Sequence, residues 1–197
     1  MGYPLRPDIP GAIYHLGSRG TNRETIFFDD TSRGVFLRQL ERAAAGQEWV
    51  VLAYCLMTNH YHLVLKVPGG GLSTGMQQLN SGFSAYTNRR YGRTMHLFRQ
   101  RFFSEYVESE EHLLQACRYT VLNPCRAGIC DAPAKWPWSS YRSCAGLDFA
   151  PPFLAVDQLL RMFARDRRRA VRAYQAFVRD GLGQVSDTDT ELRRDPR

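Results

Sequence analysis

Two apolar runs with only two residues between them constrain this chain most. Trp49 to Met57 (WVVLAYCLM) and His60 to Val67 (HYHLVLKV) are rich in β-branched and aromatic residues, and Thr58-Asn59 alone separates them. Runs of that composition at that spacing form an antiparallel hairpin. Pro68-Gly69-Gly70-Gly71 ends the second strand. Upstream, Ala12 to Arg19 (AIYHLGSR) reads as a strand after Pro10-Gly11, and GTNRE as the loop that follows. Asp29-Asp30-Thr31 offers capping side chains to a helix ending at Gly46, with Phe36, Leu37, Leu40 and Ala44 at helical spacing.

Downstream of the hairpin a second helix is expected from Ser73 to Tyr91, with Met76, Leu79, Phe83 and Tyr86 on one face. Phe102 to Val107 forms the fourth strand. A third helix begins after Ser109, where Glu110 and Glu111 suit its positive end, and is expected to stop before Pro124. The order βαββαβ predicts an α+β, ferredoxin-like sandwich, in which an antiparallel four-stranded sheet carries two helices on one face. The other face is left for a ligand or for the added third helix, which carries Tyr119.

Past Pro124 lies an irregular aromatic segment, KWPWSSYRS, and from Pro151-Pro152 the composition shifts. Three units are expected: residues 1–150 as the main domain, 151–182 as an arginine-rich helical extension, and 183–197 as a disordered tail. Residues 153–182 read as two helices, the second bearing Arg165, Arg167, Arg168, Arg169, Arg172 and Arg179.

With 44% hydrophobic and 12% aromatic residues the chain can build a real core, unlike a disordered polymer. It contains no apolar run of membrane-spanning length, and its first residues lack the apolar core of a signal peptide. A soluble cytoplasmic protein is the expectation, without a membrane partner. Five cysteines without a C-x-x-C pair argue for reduced, partly buried thiols rather than a disulfide framework or zinc knuckle. The net charge is +7, and of the 26 basic residues only Lys66 and Lys135 are lysine. Arginine forks match phosphate oxygens and stack on bases, so a polyanion is one reading; arginine-rich codon usage is the other.

The strand around the histidines carries the most chemistry. Alternation sends Tyr61, Leu63, Leu65 and Val67 to one face and His60, His62, Val64 and Lys66 to the other. Two imidazoles two residues apart can hold one metal ion, given a further ligand from elsewhere. They can equally be partly buried histidines bonded to polar neighbours. In a ferredoxin-like sheet the first and third strands are adjacent, so His15 joins the pair if its side chain takes the same face; a locally bonded strand histidine is the alternative. On the third helix, Tyr119 and Asn123 are four apart and share a face. An amide oxygen can ligate a hard divalent ion, and a phenol can attack phosphorus. Spacing alone also allows Tyr119 a packing role.

Taken in order, PGAIYHLGSRGTNRETIFFDD, AYCLMTNHYHLVLKV, HLFRQRFFSEYVESEEHLLQACRYTVLNPCRAG and WPWSSYRS resemble the REP-associated tyrosine transposases, part of the HUH-type single-tyrosine transposase family. The resemblance runs over roughly residues 6–146. It implies a ferredoxin-like nuclease core, a Mg2+ or Mn2+ ion, and cleavage of single-stranded or hairpin DNA at repetitive palindromes. His60 and His62 match the HUH pair, with Tyr61 where the family usually has a bulky apolar residue. Tyr119 matches the nucleophile and Asn123 the polar residue completing the metal site. The implied reaction is transesterification, in which the tyrosine displaces a 3′-hydroxyl and stays linked to the 5′-phosphate, with no nucleotide cofactor. Thr58 stands where relatives often have proline, and Cys125 where they often have valine; neither change removes a reacting group. Relatives include monomers and dimers that exchange tyrosine helices, so monomer or homodimer stays open. A DNA-acting role would place the protein at the nucleoid.

Candidate DNA contacts are Arg19, Asn22 and Arg23 in the loop after the first strand, Lys66 beside the histidines, Arg99 and Arg101 before the fourth strand, and Arg126 after the tyrosine helix. Arg89, Arg90 and Arg93 also complement a helix C-terminus. The arginines of residues 165–172 suit either a phosphate backbone or a solvated face. The competing functions are a hairpin-DNA-binding regulator of the same fold that does not cleave, an RNA-binding sheet protein, and a metal-dependent phosphoesterase that uses water in place of Tyr119. The RNA reading wants exposed aromatics where this sheet face carries His60, His62 and Lys66.

Overall fold

The computed structural model describes residues 8–99 and 101–183. Four strands, β1 (Ile13–Arg19), β2 (Val50–Leu56), β3 (His60–Lys66) and β4 (Phe103–Tyr106), form one antiparallel sheet in the order β2-β3-β1-β4. That order, with strands one and three central, is the ferredoxin-like arrangement expected. The β2–β3 hairpin turns through Thr58 and Asn59, as the two-residue separation required.

Helix α1 (Asp30–Gly46) starts where Asp29 accepts a hydrogen bond from the Ser32 backbone N–H at 2.7 Å, while Ser32 Oγ accepts from the Asp29 N–H at 3.2 Å. This reciprocal pair satisfies two donors that a helix start would otherwise leave open. Helix α2 (Leu72–Tyr91) is entered at Gly71 and left at Gly92, both left-handed, a conformation that suits glycine. α1 and α2 pack on each other beneath one sheet face. Tyr61, Leu63, Leu65 and Val67 all point there and are fully buried. At about 1.5–3 kcal/mol for each large apolar side chain, this one strand face contributes much of the burial that fixes register.

The Tyr61 hydroxyl ends that face in a small polar ring. It donates to Asn80 Oδ1 at 2.6 Å, Asn80 Nδ2 donates to Ser18 Oγ at 3.0 Å, and Ser18 Oγ lies 3.3 Å from the phenol oxygen.

Helix α3 (Glu110–Arg126) covers the opposite sheet face, packing on β2 and β3. Val64 and His62 are therefore as completely buried as the other side of the strand. The helix does not stop before Pro124, as the sequence suggested, but runs on through Arg126. A proline costs most in a helix interior; here it sits in the final turn, where one lost N–H bond is tolerated, and the Ala127 N–H still reaches the Asn123 carbonyl at 2.9 Å.

The segment after α3 is not a loose appendage. Its backbone adds to the outer edge of β2: Leu56 N–H donates to the Trp138 carbonyl at 2.8 Å, and Ser140 N–H to the Tyr54 carbonyl at 2.9 Å. Covering an edge strand removes a template for unwanted pairing. Three short helices follow: α4 (Tyr141–Cys144), α5 (Val156–Arg161) and α6 (Arg167–Asp180). Residues 153–182 thus hold the two helices expected, although Arg165 lies before the second helix rather than on it. α6 buries Ala170, Tyr174 and Val178 against the body and leaves its arginines at 167, 168, 169, 172 and 179 exposed. The tail expected at 183–197 lies, from residue 184 on, outside the described residues. All five cysteines are free thiols. Among the described residues no helix is long and apolar enough to cross a membrane.

Candidate active site

The side chains singled out in the sequence come from three elements that meet under α3. In the β1–β3 register Gly17 stands opposite His62, and His15 opposite Val64. His15 therefore lies on the same face as His62, diagonal to it. Gly17 puts no side chain between them, and the two rings stack at 5.3 Å with His15 Nε2 3.1 Å from His62 Nδ1. His60 starts β3, with Nδ1 2.7 Å from Asn59 Oδ1 and its ring 5.1 Å from that of His62. Phe103, opposite Gly17 on the other side, presents its ring edge-on to His15 at 5.2 Å.

From α3, Tyr119 brings its ring to 5.5 Å from His62 and 5.6 Å from His15. Asn123 lies one turn on, buried like Tyr119. The Arg126 guanidinium sits 5.0 Å from the centre of the Tyr119 ring, within cation–π reach. Tyr119, His15, His62 and Arg126 thus come together, with Asn123 one helical turn along α3 from Tyr119.

His62 Nε2 and Asn123 Nδ2 are both buried here without a hydrogen-bond partner. Buried polar atoms are ordinarily satisfied, and exceptions concentrate where a ligand belongs. Burial first, and then the neighbouring His60, His15 and Arg19, hold the His62 imidazole well below its ordinary range. It is therefore neutral at pH 7, the form that binds a metal. Among the described residues no group of three or more His, Cys, Asp or Glu is arranged to hold a metal ion. Any divalent ion here would have to draw on neutral imidazole, a role that the unpartnered His62 Nε2 fits, with positions left for ligands from elsewhere.

Two participants were not read from the sequence, Glu105 and His112. Glu105 pairs with His15 in the β1–β4 register, and its carboxylate lies 3.6 Å from His15 Nδ1 and 3.3 Å from His112 Nε2. The His15 contact holds the Glu105 carboxyl below the usual range against the opposing effect of its partial burial, and His112 adds to the lowering. The only trace in the sequence was the parity of strand positions, and that needs the β1–β4 register before it can be used.

The candidate DNA contacts divide. Arg19 is opposite His60, the Arg99 N–H donates to the Arg19 carbonyl at 3.0 Å, and Asn59 Nδ2 donates to the Arg23 carbonyl at 2.9 Å. Asn22 and Arg23 lie exposed in a short 3-10 turn, both in left-handed backbone. These four surround the His60 end of the sheet. Lys66 does not join them: six residues along β3 put it about 20 Å from His60, because alternation keeps a residue's face but not its end of the strand. Arg101 lines a groove of about 860 Å³ along α2, on the face opposite α3.

No curated protein matches the sequence. Among solved structures, the fold is similar to that of a REP-associated tyrosine transposase bound to a REP hairpin, with a TM-score of 0.65 and 16% identity, over 78% of this chain and 93% of that one. At that identity the likeness speaks for the fold. The sequence itself matches the family described as Transposase IS200 like over residues 9–121, more than half its length. On that match, with the fold in agreement, this chain belongs to the IS200-like transposase family.

Proposed function

We propose that the protein is a strand-transfer endonuclease acting on single-stranded or hairpin DNA of repetitive palindromic type, with Tyr119 as nucleophile and a divalent ion, Mg2+ or Mn2+, held by His60, His62 and Asn123. The observation that carries this reading is the 5.5 Å approach of the Tyr119 ring to His62, whose Nε2 is buried and unpartnered. Edge-to-face packing accounts for the ring contact, but it leaves the buried His62 Nε2 without a partner, which a ligand shared with Tyr119 would supply. The similar solved transposase was captured on a REP hairpin, which supports hairpin DNA as the substrate class.

In the reaction, the Tyr119 oxygen bonds to phosphorus as the bond from phosphorus to the 3′ oxygen breaks. The phenol loses one proton and the departing 3′ oxygen gains one, so no nucleotide cofactor is needed and the step is reversible. The ion's contribution when bound is to polarise the phosphate oxygens. Arg126, stacked on the Tyr119 ring, favours the phenolate through its charge. Arg19, Arg23, Asn22 and Arg99 supply forks, an amide and backbone groups for phosphates entering at the His60 end. Tyr119 faces histidines of its own chain, which supports attack in cis without a second copy. The exposed arginines of α6 offer further backbone contact.

The test is intact-mass spectrometry after incubation with palindromic hairpin DNA and Mn2+. The parent protein gains the mass of a 5′-phosphoryl DNA fragment, and Tyr119→Phe, folded by its melting curve, gains none. Cleavage that persists in Tyr119→Phe would refute the mechanism in favour of water as the nucleophile. Hairpin binding by the parent protein without cleavage would favour the regulatory reading.

A further inference from the structure

Of the five free thiols, Cys55, Cys117 and Cys144 are buried, whereas Cys125 and Cys130 are partly exposed. Those two also touch: Cys125 Sγ lies 3.7 Å from Cys130 Sγ, one thiol hydrogen-bonded to the other. The way α3 ends makes this contact. The Ile129 N–H donates to the Pro124 carbonyl at 2.9 Å, and the Gly128 N–H to the Cys125 carbonyl at 3.0 Å. Gly128 adopts the left-handed backbone, φ +69°, that such a doubly bonded cap requires. The cap reverses the chain and returns Cys130 to the last helical turn, where Cys125 follows the buried Asn123 and Pro124.

The sulfurs of a disulfide are about 2.0 Å apart, so each would have to move by about 0.9 Å. Side-chain torsions at two partly exposed residues can supply that, and the cap is held by backbone bonds that need not break. Exposure also singles this pair out, since an oxidant reaches partly exposed thiols and spares buried ones. Burial, and then the contact with Cys130, push the Cys125 thiol up to about 12. Cys125 thus keeps its proton and oxidation is slow; proximity rather than acidity selects the pair.

We propose that Cys125 and Cys130 form a thiol-oxidation site, which a hydroperoxide converts to an intramolecular disulfide that staples the last turn of the tyrosine helix. One sulfur attacks the peroxide O–O bond and becomes a sulfenic acid, and an alcohol leaves (water, from hydrogen peroxide). The second sulfur displaces the new hydroxyl from the first, and it leaves as water. The two sulfurs together lose the two electrons that the O–O bond gains, and a dithiol reverses the reaction. The ring so closed runs from residue 125 to residue 130 and contains Arg126, whose guanidinium lies 5.0 Å from the centre of the Tyr119 ring. The staple fixes the turn from which Arg126 reaches the tyrosine. The site is independent of the nuclease reading, because neither a metal ion nor DNA enters it.

Trypsin provides the test. It cuts after Arg118, Arg126 and Lys135, which places the two cysteines on separate peptides, 119–126 and 127–135. The folded parent protein is treated with hydrogen peroxide, its remaining thiols are blocked, and the digest is weighed. The two peptides are expected to stay joined, lighter by two hydrogens than their sum, until dithiothreitol parts them. Amide exchange over residues 126–129 is expected to slow in the oxidised protein. Cys130→Ser abolishes the joined species, and Cys117→Ser leaves it in place. Peptides that separate without reductant, thiols that gain oxygen and stay unlinked, or a disulfide between two copies of the chain would each overturn the proposal. Joined peptides with unchanged amide exchange would overturn the staple. Every one of these readings comes from the parent protein, so none depends on a variant folding.

Discussion

The same substitution, glycine to alanine, is expected to have opposite effects at two places in this chain. Gly17 lies in the central strand β1 between His62 and Phe103, and a Cβ there would fall far inside contact distance of the Tyr61 carbonyl oxygen and the Phe103 ring. The ring can turn, but the carbonyl belongs to a strand buried on both faces and has little freedom. Alanine relieves the unfolded chain of about 0.5–1 kcal/mol of glycine entropy, whereas forcing a methyl into a packed site costs about 1–3 kcal/mol. The net loss is about 1–2 kcal/mol, a fall in Tm of about 2–8 °C for a chain of this size. Gly46 ends α1 in the open, with nothing within 4 Å of the position a Cβ would take. Gly46→Ala gains about 0.5–1 kcal/mol, a rise in Tm of about 1–4 °C. Scanning calorimetry on the two variants and the parent measures both. A Gly17→Ala protein that melts with the parent, within about 0.5 kcal/mol, or that moves in the same direction as Gly46→Ala, would refute the claim that an absent side chain makes room for the paired histidines.

Two further outcomes follow from buried polar groups. His62 is fully buried with its pKa pushed down, so the folded state binds fewer protons than the unfolded state once the pH falls below the ordinary histidine value. Its share of stability is complete above about pH 6.5 and is lost on acidification, at up to about 1.4 kcal/mol per pH unit. Urea unfolding at pH 7 and pH 5 should show about 2 kcal/mol more acid loss in the parent than in His62→Gln; equal losses would show that His62 is not held neutral. Tyr61→Phe deletes the hydroxyl that Asn80 accepts from at 2.6 Å. It should cost about 1–2 kcal/mol by urea unfolding, and a neutral result would mean that water replaces the phenol.

The fold was legible because each element carried its own signal. The strands 50–56 and 60–66 were marked by β-branched runs joined through two residues, and α1 by an aspartate cap and a 3.6-residue stripe ending at glycine. The misplaced end of α3 comes from applying an interior rule to a last turn: Pro124 is buried and helical, and the packing of Val121, Leu122 and Asn123 outweighs a single missing donor. The integration of residues 136–155 with the sheet was not legible at all, since main-chain pairing such as that of Trp138 and Ser140 with β2 is written in backbone geometry and leaves no periodic trace.

At the site, alternation along one strand was enough to separate Tyr61 from His60 and His62, and helical spacing was enough to align Tyr119 with Asn123. Neither rule carries distance between elements. Lys66 shares the parity of His60 yet stands at the other end of β3, and Glu105 lies on a strand 90 positions from His15 that becomes its neighbour only when β4 closes the sheet beside β1. Gly17 shows why this gap is physical. Read alone it is a weak residue in a strand; read in register it is the space into which His15 and Phe103 lean toward His62. A Cβ at that position would collide with the Phe103 ring and the Tyr61 carbonyl oxygen, neighbours that frame His15 and His62, so the residue with the least chemistry decides whether the residues with the most can meet.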